Sequence, residues 1–181
     1  MLLKKVGLIH KPRKEDIKAD SIFDNNKIKS IHLHIPVLDE DDFPEYRKDI
    51  INIISEKALH PIIEIKQKKE FKQRTTEVYK FIKKNNWQLF MQYFYVLDGV
   101  QHTFYKNPKK IAEFYLMFDE FIKKVSEIVN DETLLLIVSD HGLKKGVHTP
   151  YGFYSVNKKL GLKNPKLIDF RKIIEDKLVR T

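Results

Sequence analysis

Five residues in the second half of the chain have the types and spacing for metal chemistry: Asp98, His102, Asp140, His141 and His148. Asp98-Gly99-Val100-Gln101-His102 follows one apolar run. Asp140-His141-Gly142 follows another, with His148-Thr149-Pro150 close behind. Carboxylate and neutral imidazole are the donors that suit zinc or manganese where no thiolate is at hand, and the chain has no cysteine. Gly99, Gly142 and Gly146 let the backbone turn tightly beside such a site. If the two apolar runs are neighbouring strands, five ligands converge on one crevice, enough for two ions about 3.5–4 Å apart. Taken singly, each residue has a plainer explanation, since Asp at a strand end is a common turn residue and a lone His is more often structural. The joint pattern is more specific: three of the chain's seven His fall in these two loops, while His10, His32, His34 and His60 show no carboxylate partner at ligand spacing.

The elements that must position these residues can be read from apolar periodicity. Ile31, Leu33, Ile35 and Val37 alternate on one face of an expected strand, with His32 and His34 on its polar face. Residues 44–58, opening with Pro44 and Glu45, read as a helix. Phe71, Thr75, Val78 and Ile82 mark a second helix, ended at Asn85-Asn86. Leu89 to Leu97 and Thr133 to Ser139 are near-continuous apolar runs, the pattern of strands buried on both faces. Between them lies the best-signalled helix, with Asn107 as cap, Pro108 in its first turn and an apolar stripe from Ile111 to Ile128. A strand over residues 153–156 and a helix over 167–179 close the chain. This rhythm predicts an α/β fold, a mostly parallel sheet with helices on both faces, whose ligands bind beyond the carboxyl ends of the strands.

With these residues in place a resemblance emerges. Leu134-Leu-Leu-Ile-Val-Ser-Asp140-His141-Gly142 resembles the metal-binding strand of the alkaline phosphatase superfamily, and most of all its type I phosphodiesterase/nucleotide pyrophosphatase family. Asp98-x-x-x-His102 is similar to that family's upstream metal motif, and His148-Thr149-Pro150 to its late His. The likeness runs from about Ser21 to the C-terminus, strongest over residues 89–157. It implies that Asp98, His102 and His148 hold one divalent ion, while Asp140 and His141 help to hold a second. Zinc is favoured and manganese comes next. It also implies hydrolysis of a phosphoester or phosphodiester through a covalent phospho-enzyme, on a phosphate-ester or nucleotide substrate.

The chain departs from the family pattern at its start. The strand-like run Val6 to His10 leads into His10-Lys-Pro-Arg13, with neither the family's Asp nor its Thr or Ser nucleophile turn. The 181 residues therefore read as a single partial domain, the carboxyl half of an alkaline-phosphatase-like core with its N-terminal part missing or degenerate. Thr103 and Thr149 neighbour proposed ligands without occupying the nucleophile position, so no catalytic nucleophile is assigned. A partner chain or self-association completing the domain follows from such an exposed edge.

Composition bounds the alternatives. With Lys+Arg 34 against Asp+Glu 25, the net charge of +9 favours anionic partners. The stretch Lys66-Gln-Lys-Lys-Glu-Phe-Lys-Gln-Arg74, followed by the aromatic run from Trp87 to Tyr95, supports a non-catalytic nucleotide or nucleic-acid-binding module. A solvated helix face explains the same lysines more simply, and nucleic acid is the weaker expectation. A decayed metal-binding subunit is the third reading. No apolar run reaches the ~18 residues of a membrane span, and a soluble, cytoplasmic protein is expected.

Overall fold

The computed structural model describes residues 14–39 and 60–178. The helix expected over 44–58 and the strand-like run from Val6 lie outside them. Four α-helices are described: α1 (His60–Ile82), α2 (Val96–Phe104), α3 (Pro108–Ile128) and α4 (Asp169–Leu178). Six short strands accompany them: β1 (Ser30–Leu33), β2 (Leu89–Gln92), β3 (Leu136–Ser139), β4 (Gly142–Lys144), β5 (Val147–Thr149) and β6 (Phe153–Val156). The result is a mixed α/β fold in which helices carry most of the core.

The strands pair in three two-stranded sheets: β1 with β2 in parallel, and β3 with β6 and β4 with β5 antiparallel. The expectation of a mostly parallel sheet is thus corrected among the described residues. Chain geometry gives the reason. A parallel pair needs a crossover of a dozen or more residues, usually a helix, and α1 supplies it between β1 and β2. Between β3 and β6 the chain is taken up by the β4–β5 hairpin, with no helix to carry it across the sheet, and it returns antiparallel.

The two runs expected as doubly buried strands also differ from expectation. Only Leu89–Gln92 and Leu136–Ser139 are extended, and Met91 and Val138 face solvent. Residues 93–95 are irregular, and the last two residues of the first run, Val96 and Leu97, begin α2, whose buried positions Val96, Gly99, Val100, Thr103 and Phe104 follow helical spacing. The strand over residues 31–37 stops at Leu33, because His34 (φ 60°) and Val37 (φ 74°) take left-handed conformations that an extended strand excludes.

Helix α3 forms as its sequence demands. Asn107 Oδ1 accepts from the Lys110 N–H, Pro108 fills the first turn, and Phe114, Phe121 and Val125 are buried. Two core clusters hang on it. Val78 and Ile82 of α1 meet Phe121 and Val125, while Val96, Val100 and Phe104 of α2 meet Phe114. Ion pairs reinforce the α1–α3 seam: Lys110 Nζ lies 2.9 Å from Glu64 and 2.7 Å from Glu113, and Lys68 Nζ lies 2.7 Å from each of the same carboxylates. No helix among the described residues is long and apolar enough to cross a membrane.

Candidate metal centre

Helix α2 and the β4–β5 hairpin bring the candidate ligands together. Asp98 and His102 stand four residues apart on α2 and share the face opposite its buried stripe. His148 comes from β5, opposite Leu143 of β4. The hairpin closes on Lys145-Gly146, both with positive φ (54° and 80°), the requirement of a two-residue type I′ turn. Gly146 rests on the Tyr105 ring, with ring carbons 3.3 Å from where its Cβ would stand, which seats the hairpin on the end of α2.

Asp98 Oδ1 lies 3.2 Å from both His102 Nε2 and His148 Nε2, and these two nitrogens are 2.8 Å apart. All three ligand atoms fall within 4.8 Å of one another. His102 Nδ1 lies 3.1 Å from the Gly146 carbonyl. A carbonyl only accepts, so Nδ1 carries the proton and the Nε2 lone pair of the neutral ring is turned toward Asp98. The His102 lone pair, the Asp98 carboxylate oxygen and His148 Nε2 converging in this way fit a divalent cation, and oxygen and imidazole donors suit zinc.

His141 joins the cluster from the residue before β4. Its ring stacks on His148 with centroids 3.7 Å apart, and its Nε2 lies 3.8 Å from Asp98 Oδ1 and 3.7 Å from Asp140 Oδ1. Its Nδ1 lies 3.2 Å from the Gly142 carbonyl, the same orienting contact that His102 makes. Asp140 is 69% exposed and touches the group only through His141, so the two of them need further donors to complete a second coordination shell. The five residues singled out from the sequence therefore stand side by side, with Asp98, His102 and His148 the tightest set.

Other expectations change with the geometry. Asp98 sits in the first turn of a helix rather than in a loop after a strand. Gly99 lies within that helix, so it serves no turn. Thr103 is buried with its hydroxyl donated to the Gly99 carbonyl, and Thr149 Oγ1 lies 3.3 Å from the Tyr151 carbonyl, so neither hydroxyl is poised as a nucleophile. His32 and His34 do have acidic partners, Asp39 at 2.7 Å and Glu77 at 2.6 Å, which their sequence spacing concealed. In the basic run 66–74, Gln67 and Arg74 are buried and Lys68 is ion-paired, so this is no continuous cationic face. Phe94 and Tyr95 belong to the core: Tyr95 is buried, and Phe94 packs on Phe118 and Phe121.

Comparison with known proteins fits this site. Residues 18–169 match the family model described as type I phosphodiesterase / nucleotide pyrophosphatase, and the chain belongs to that family. A curated relative, GPI ethanolamine phosphate transferase 3 of Schizosaccharomyces pombe, is 26% identical over 90 residues. That stretch covers 49% of this chain and only 10% of the relative. No solved structure matches.

Proposed function

We propose that the chain is the metal-binding part of a phosphoesterase that cleaves phosphoester or phosphodiester bonds with two divalent ions, zinc being the first choice. The observation that supports this most is Asp98 Oδ1 equidistant from the Nε2 atoms of His102 and His148, with the His102 ring oriented by the Gly146 carbonyl. In this reading Asp98, His102 and His148 hold one ion, and Asp140 and His141 contribute to the second. Bound there, divalent ions supply positive charge against the phosphoryl oxygens. The chain's own part is to hold the ligands: α2 fixes Asp98 and His102, and the type I′ hairpin brings up His148. The attacking hydroxyl is not assigned to these residues. It comes from elsewhere in the polypeptide, from a partner chain or from a second copy. Transfer to an acceptor other than water is the second reading, favoured by the relative whose name is that of a phosphate transferase. Metal per chain, measured by elemental mass spectrometry on protein purified without chelator or histidine tag, tests the proposal. One to two equivalents of zinc or manganese are expected, falling when Asp140 and His141 are both replaced by alanine. Unchanged stoichiometry in that double variant would sink the ligand assignment. Bis-p-nitrophenyl phosphate, supplied with and without added zinc, then reads the chemistry.

A further inference from the structure

We infer that Gly99 and Gln67 form a positioning contact that sets helix α2, and with it Asp98 and His102, at the distance from His148 that metal binding requires. The inference rests on the metal reading above. Two locally unfavourable choices meet at this one point. Gly99 stands inside α2, where alanine would be the better helix former, and its backbone has no positive φ that would call for glycine. Gln67 of α1 is fully buried, and both its Nε2 and its Oε1 lack a hydrogen-bond partner. A Cβ placed on Gly99 would collide with Gln67 Nε2 and come within 3.3 Å of Gln67 Cδ and Tyr95 Cε1. The glycine thus lets α2 close down on the amide, and the glutamine sets how far. Departures from local preference of this kind gather where geometry serves a site. The contact lies next to Asp98 and one turn from His102. On the same face of α1, Arg74 Nη1 donates to the Tyr93 carbonyl at 2.8 Å and fixes the segment leading into α2. Neither Gly99 nor Gln67 is a ligand; both act through Asp98 and His102.

The test is zinc affinity by competition with a chromophoric chelator, in the wild type, Gly99→Ala, Gln67→Ala and the double variant. Gly99→Ala is expected to weaken zinc binding by about tenfold or more, the range seen when support behind a metal ligand is lost. Removing the amide makes room for the methyl, so the double variant should return to within about twofold of Gln67→Ala. Residues that did not act through this shared contact would give losses that add. Gly99→Ala binding zinc like wild type, or a double variant no better than Gly99→Ala, overturns the inference. If Gly99→Ala does not fold, the double variant read against Gln67→Ala decides: equal affinity supports the contact and a tenfold deficit overturns it. A wild type that binds no zinc is a different result, and it removes the metal reading and this inference together.

Discussion

At the scale of single residues, Asp98 matters most. It is the only carboxylate among the described residues within reach of three imidazoles, and it is 16% exposed. Asp140, at 69% exposed, keeps its charge in solvent and meets only His141. The two aspartates are therefore unequal despite similar sequence contexts. Asp98→Asn should weaken zinc binding by more than about a hundredfold, since even an outer-shell loss costs about 10–100-fold. Asp140→Asn should change the affinity of the tighter ion by less than about tenfold, because an exposed charge is well screened. Isothermal titration of both variants with zinc checks the ranking; equal losses would contradict it. All five candidate residues could be picked out from the sequence because their types are scarce and their order is specific. Their ranking could not, because it depends on which side chains the hairpin folds inward.

At the scale of elements, legibility followed local signals. Helix α3 was plain because cap, proline and apolar stripe agree, and β6 appears over the residues 153–156 expected for it. Helix α2 was missed. The aromatic run before it reads as one long strand, and Gly99 argues locally against a helix. Packing overrides both, because Val96, Val100 and Phe104 bury against Phe114. The spacing Val96, Gly99, Val100, Thr103 was the signal that could have found it. The seam between α1 and α3 carries its own prediction. Lys110 and then Lys68 hold the Glu113 carboxyl down from 4.5 to about 2. A depressed carboxylate contributes above its unfolded pKa and loses that contribution as the pH falls from about 4.5 toward 2. The group is open to solvent, so the effect is small and salt-sensitive. Glu113→Gln should therefore lower the thermal midpoint slightly at about pH 6 and leave it nearly unchanged near pH 2, where the wild-type carboxyl is about half protonated and most of its contribution is gone. Melts followed by circular dichroism at low salt read the difference, and an equal drop at both pH values would count against the ion network.

At the scale of the whole molecule, the three small sheets among the described residues give little continuous scaffold, and the helices tie the pieces together. The candidate centre is the point where the helical layer meets the β4–β5 hairpin. Saturating zinc should thus raise the melting temperature, since a ligand at a hundredfold excess over its Kd stabilises by about 2.7 kcal/mol. His148→Ala should abolish most of that rise, and a full shift in His148→Ala would place the ion elsewhere. The separation of the ligands along the chain has a further consequence. Asp98 and His148 are 50 positions apart, and all of α3 and β3 lies between them. An ion gripping both closes that stretch into a ring, much as a covalent cross-link would. By chain entropy alone such a closure is worth up to about 4 kcal/mol. One proteolytic cut between the ligands would then leave two fragments still joined while the ion is held, and free to separate once a chelator takes it away.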